Sequence, residues 1–174
     1  IMAGKIIKNF DFNSLISNIS NVHESLLVST SKAINVALSI RNWLIGYYIV
    51  EFEQNGHDRA QYGNKLLRNL ELHFEKSGIK GMSERRFREY RKFYIVYSQL
   101  GIVINQFVPD DIIRRLPTAM FDNQIRRLSS AESEISELAL PADKLITKLS
   151  FSHFIELINM DDPLKRLFYE VECI

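Results

Sequence analysis

The sequence is short of the residues that staple, kink or charge a chain in one direction. A single cysteine among 174 residues, Cys173, cannot form an internal disulfide, so a disulfide-stapled scaffold is excluded and a reducing cytoplasm is the expected setting. Four prolines, all in the second half, and seven glycines exclude a collagen-like or low-complexity chain. Neither sign of charge dominates: 22 Lys and Arg stand against 21 Asp and Glu, so any electrostatic recognition must be local. Long apolar runs are missing too. The richest window, Val36 to Val50, is broken by Arg41 and Asn42, far short of the ~20 residues that span a bilayer. The N-terminus lacks the basic, apolar and small-residue succession of an export signal.

What is present is the balance of a folded domain, 46% hydrophobic and 25% charged. From Phe12 to Glu53, Leu15, Ile16, Ile19, Val22, Leu26 and Leu27 recur at helical spacing, followed by Ile34, Leu38, Trp43, Leu44 and Tyr47. Asn13 and Ser14 are candidate caps, and a break is expected near Ser20 to Ser25. The second part is apolar on more than one face, the mark of a central or dimer-forming helix. A second helix is expected from Arg59 to Glu75, with a stripe through Tyr62, Leu66, Leu67, Leu70 and Phe74. Gly78 and Gly81 bound a tight connection, Ser83 is the expected N-cap, and a third helix runs from Glu84 to Ser98. Helix, glycine-bearing turn and helix over residues 59–98 outline a helix-turn-helix, with a longer connection than usual.

Beyond Gly101 the pattern changes. Ile102 to Val108 reads as a strand or as continued helix, and residues 99–141 as an irregular insertion carrying Asp110-Asp111, Arg114-Arg115 and Arg126-Arg127. Helices return at Ala142 to Leu149, at His153 to Asn159 with Ser152 as cap, and after Asp162-Pro163. The expected architecture is a single mainly α domain over residues 1–174, a helical bundle around a helix-turn-helix core with at most a small β element. Trp43, Tyr47, Leu66, Leu70, Phe87 and Tyr94 are its expected core.

The strongest chemical signal is the third helix. Phe87, Tyr90, Tyr94 and Tyr97 gather on one face, Arg85, Arg88 and Lys92 on the opposite one, and Arg86 and Arg91 flank the apolar stripe. With Lys80, the stretch to Tyr97 holds six basic and two acidic residues. A helix with a packed aromatic side and a basic outer side suits duplex DNA, because Arg and Lys neutralise phosphates and Arg pairs with guanine edges. The same pattern also fits a solvated face with no partner. It equally fits a protein-interaction module in which the apolar helices dimerise or dock a partner. RNA is disfavoured, since Tyr90 and Tyr94 sit on the buried face and cannot stack on bases.

No catalytic constellation emerges. His23, His57, His73 and His153 lie far apart, and His153 with Glu156 makes two ligands where a metal needs three or four. Ser150 and Ser152 beside His153 read as helix capping, and Cys173 has no activating neighbour. Neither a phosphate loop nor a small-molecule site is apparent.

Several blocks carry a family resemblance. They are Ala33-Ile34-Asn35, Trp43 with Ile45-Gly46 and Ile49, and Arg59-Ala60 through Tyr62-Gly63 to Lys65-Leu66-Leu67. Further on come Gly81-Met82-Ser83-Glu84-Arg85, Tyr90-Arg91-Lys92-Phe93-Tyr94, Leu149-Ser150-Phe151-Ser152-His153, and Asp162-Pro163-Leu164-Lys165-Arg166 with Phe168-Tyr169. In this order they resemble the N-terminal domain of the YhcG-type proteins, where a winged-helix-like domain precedes a PD-(D/E)XK nuclease-like domain. The segment from Leu100 to Ile146 departs from the pattern. The resemblance implies a bacterial DNA-binding accessory domain, with the nuclease-like domain and its divalent metal, such as Mg, beyond Ile174. The nuclease chemistry does not carry over to this chain: none of its ten lysines follows an acidic residue at the two-residue spacing that such a site requires.

Overall fold

The computed structural model describes residues 12–55, 65–110 and 140–174. The fold is mainly α. Its helices are α1 (Phe12–Asn55), α2 (Leu66–Lys76), α3 (Glu84–Val96), α4 (Ala142–Lys148), α5 (Phe151–Ile158) and α6 (Pro163–Glu172), with 3₁₀ turns at Ser98–Ile102 and Ile104–Gln106. No strand occurs among the described residues. Residues 59–64 of the expected second helix and 111–139 of the expected insertion lie outside them.

The chain divides into two units at Ile34. The described part of the first is α1 up to Ile34, and the expected break near Ser20 to Ser25 is absent, because α1 is one uninterrupted helix. The stretch has no proline or glycine, and its serines do not outweigh their helical neighbours. Thr30 is accommodated by donating its hydroxyl to the Leu26 carbonyl at 2.8 Å. Asn13 and Ser14, expected as caps, lie inside the helix. Ile19, Val22 and Leu26 are each more than half exposed.

In the second unit the α1 stripe turns inward. Trp43 and Tyr47 are buried with Phe93, Tyr94 and Tyr97 of the α3 region, and Leu145, Leu149, Phe154 and Leu157 complete this core. A second cluster joins Ile49, Leu66, Phe87 and Tyr90, with Leu70 and Phe74 half-buried against it. The expected core residues are thus buried, Leu70 excepted in degree. At Gly46 the two helices touch backbone to backbone: a Cβ there would stand 2.1 Å from the Tyr90 carbonyl oxygen. Trp43 Nε1 donates to the Tyr97 carbonyl at 2.8 Å, and its ring meets Tyr94 edge-on at 4.9 Å.

Of the two forms expected for Ile102 to Val108, strand or continued helix, the strand is absent and the segment is wound into 3₁₀ turns. Val103, Ile104 and Val108 are buried in the helical core. A Cβ at Gly101 would stand 3.3 Å from the Trp43 ring, so a larger residue there would press on the indole. The expected Ser152 cap is also corrected. Ser150 caps α5, its hydroxyl accepting from the His153 backbone N–H while His153 Nδ1 accepts from the Ser150 N–H. That reciprocal box accounts for the serine and histidine together. Asp162 caps α6, with Pro163 in its first turn as expected.

One polar pair crosses the core. The Tyr97 hydroxyl donates to Glu170 Oε1 at 2.7 Å, and both groups are buried. Burial pushes the Glu170 carboxyl above the ordinary carboxylate range, against the lowering pull of the Tyr97 hydrogen bond and of Arg166. The folded state therefore holds this proton longer than the unfolded chain does. Its contribution to stability is full below the ordinary carboxylate pKa and is lost as pH rises through the raised one. Urea unfolding of Glu170→Gln beside the parent should show the variant gaining relative stability from mildly acidic to neutral pH. A difference independent of pH would refute this assignment.

Candidate nucleic-acid interface

α3 is built to expose a basic edge over an aromatic base. Its start is set by Ser83, whose hydroxyl accepts from the Arg86 backbone N–H at 3.4 Å, and by Glu84 in the first turn. Phe87, Tyr90, Phe93 and Tyr94 fill the buried side. Phe93, which stands 4.7 Å from the Phe154 ring, was missed as a core residue by the sequence pattern, which had emphasised its tyrosine neighbours.

The connection from α2 spans residues 77–83. It opens with a helix stop in which Ile79 N–H donates to the Phe74 carbonyl and Gly78 N–H to that of Glu75. Gly78 and Gly81 adopt φ of 73° and 81°, a left-handed backbone that other residues rarely take. Phe74 leans on Phe87 at 6.0 Å. Two helices packed through a long glycine turn match the helix-turn-helix outline only loosely, since that motif uses a turn of about three or four residues.

Arg85, Arg86, Arg88, Arg91 and Lys92 of α3, and Lys80 before it, are all exposed. The arginines are not bare, however. Glu89 takes Arg85 Nε at 3.0 Å and Arg86 Nη1 at 2.9 Å on its two oxygens. Arg88 pairs with Glu84, and Arg91 Nε reaches Glu53 of α1 at 2.7 Å. Lys80 and Lys92 have no ion pair among the described residues. The flanking pair Arg86 and Arg91, whose position suits packing or internal ion pairs, forms ion pairs, and Arg85 and Arg88 do so as well. Their partners sit four residues away on the same helix, a spacing visible in the sequence. Glu53 was not foreseeable, because 38 residues separate it from Arg91.

Exposed pairs of this kind are worth ~0–1 kcal/mol each, so they hold the guanidinium groups in place without locking them away from a phosphate. Among the described residues no group of three His, Cys, Asp or Glu is placed to hold a metal. Nor, among them, is any helix long and apolar enough to cross a membrane.

Comparison with known proteins adds two findings. The DUF1016 N-terminal domain matches residues 18–174. The chain is 26% identical over 168 residues to the protein of Escherichia coli (strain K12) named "Putative nuclease YhcG", an alignment covering 94% of this chain and 41% of that protein. The chain thus spans about two fifths of the length of the curated relative it matches. No solved structure matches it.

The double role of Glu89 can be tested directly. Glu89→Gln leaves two arginines without their carboxylate and should lower stability by about 1 kcal/mol, whereas Arg85→Gln alone should cost less than half of that. Chemical denaturation of both variants, at low and high salt, measures the difference.

Proposed function

This chain belongs to the DUF1016 N-terminal domain family, and we propose that it is the DNA-binding accessory domain of a nuclease-like protein. The observation that carries this reading is the exposed cationic edge of α3, mounted on a helix whose other side is locked into the core. Arg85, Arg88 and Lys92 form the phosphate-contacting set, and Lys80, Arg86 and Arg91 flank it. A rigid helix lowers the ordering cost of each contact, and weak ion pairs exchange readily for phosphate oxygens. The name of the Escherichia coli relative supports the nuclease association, with catalysis and its divalent metal assigned to sequence outside this chain.

A second reading concerns self-association. Ile19, Val22 and Leu26 follow one another at spacings of three and four residues, in phase with Ala33, Val36 and Ile40. Ile19, Val22 and Leu26 are exposed and form an apolar strip on a helix whose residues 12–34 carry, besides His23, only Glu24 and Lys32 as ionisable side chains. A strip with this repeat fits the same strip of a second copy, since alternate spacings of three and four are what a two-helix seam needs, and no like charges face each other across it. Such a dimer would present two basic edges to DNA.

Each reading has its own measurement. For DNA, fluorescence anisotropy with a labelled duplex over a range of salt should give a slope of log affinity against log salt that falls by ~2–3 units in the Arg85→Ala, Arg88→Ala, Lys92→Ala triple variant. The fold should be intact by circular dichroism, and equal slopes would remove the DNA assignment. For self-association, light scattering should give a dimer at micromolar concentration that Leu26→Glu converts to monomer. A monomeric parent would remove that reading and leave the DNA reading standing.

A further inference from the structure

α1, α3 and α5 line a cleft of about 490 Å³, partly open to solvent, that excludes the outer face of α3: Arg85, Arg88 and Lys92 do not line it. The volume lies in the range of small-molecule sites, roughly 300–1,000 Å³. Its two cations come from different helices, Arg41 from α1 and Arg86 from α3. Arg41 is anchored by its neighbour: Nε and Nη2 both donate to Asn42 Oδ1, at 3.1 and 2.9 Å, and Asn42 is itself only 3% exposed. A buried amide spent on fixing an exposed guanidinium has little purpose unless that guanidinium has a task. Arg86 gives Nη1 to Glu89, which leaves its remaining donors available.

The rest of the lining is divided in character. Ser150 and Ser152 bring hydroxyls from the start of α5, where the first backbone N–H groups have no acceptor within the helix. Leu38, Phe151 and Ile155 form an apolar wall, and Phe151 is held at 5.6 Å from the Tyr90 ring. Glu156 supplies one carboxylate a helical turn beyond Ser152. Guanidinium groups, an apolar wall and the one carboxylate of the lining are the complements of a phosphate, a base and an exocyclic amine respectively.

We propose that this cleft binds one nucleotide, with the phosphate on Arg41 and Arg86, the base against Leu38, Phe151 and Ile155, and an exocyclic amino group donating to Glu156. The assignment goes beyond the duplex reading and does not depend on it. The nucleotide is either free or the phosphorylated end of a strand, and both present the same chemistry to the cleft.

Calorimetric titration of the chain with dAMP, dTMP and inorganic phosphate tests this. dAMP should bind more tightly than dTMP, which lacks the amine, and inorganic phosphate should bind more weakly than either. Arg41→Gln and Arg86→Gln should each weaken dAMP binding about tenfold or more, the usual effect of losing a charged hydrogen bond. Glu156→Gln should narrow the gap between dAMP and dTMP. The Arg85, Arg88, Lys92 triple variant should bind dAMP like the parent, so that loss of duplex binding and loss of nucleotide binding stay distinct. A 5′-phosphorylated oligonucleotide that displaces dAMP assigns the site to strand ends, and one that does not assigns it to free nucleotides. Failure of dAMP to bind, or unchanged affinity in a folded Arg41→Gln variant, overturns the proposal.

Discussion

The second unit is organised by the approach of α1 to α3 at Gly46. The Tyr90 carbonyl lies where any side chain at this position would begin, so the two backbones meet with nothing between them. Only that separation lets Trp43, one turn earlier, reach the Tyr97 carbonyl with its indole N–H and receive the edge of Tyr94. The cost of a glycine inside a long helix, about 0.5–1 kcal/mol relative to alanine, is offset by the aromatic packing that the close crossing permits. With α3 seated in this way, the orientation of its basic edge follows. Arg85 and Arg88 face solvent because Phe87, Tyr90 and Tyr94 cannot.

Tyr97 then ties the crossing to the C-terminal helices. Its carbonyl serves Trp43 and its hydroxyl serves Glu170, so one residue is held at both ends by partners far apart in sequence. The Phe154 ring meets Tyr97 edge-on at 5.0 Å, and α5 is thereby fixed against the end of α3. The cleft between α1, α3 and α5 lies beside this arrangement, with Tyr90 and Phe151 shared by the core and the cleft. Where the three helices meet, polar and apolar residues line the gap between them.

How much of this the sequence disclosed depends on range. Helix positions set by local chemistry were legible: the Ser83 cap, the Asp162-Pro163 start and the periodic stripe of α3 all follow from neighbours within one turn. Buried positions such as Trp43 and Phe87 were legible for the same reason. The serine-rich stretch in α1 was misjudged, because weak helix formers do not stop a helix that has no breaker. The β-rich run Ile102 to Val108 left strand and helix open, since β propensity reflects fit to a pleated surface, and its 3₁₀ turns are packed into the helical core instead. In the candidate interface, residue types and face were readable, but their pairing state was only half so. Glu84 and Glu89 lie within the helix, whereas the pairing with Glu53 and the meeting of α5 with the Arg41 side of α1 depend on tertiary placement.

The position of Trp43 has an optical consequence. It is the sole tryptophan of the chain, 2% exposed, and its ring nitrogen is engaged with a carbonyl just past the end of α3. Its emission therefore reports on one event, the seating of α1 against α3, uncontaminated by other indoles. Buried among Tyr47, Tyr94 and Gly101, it also collects energy from neighbouring tyrosines at separations of 4.9 to 6.2 Å. The chain thus carries a built-in fluorophore at the crossing that positions its basic helix.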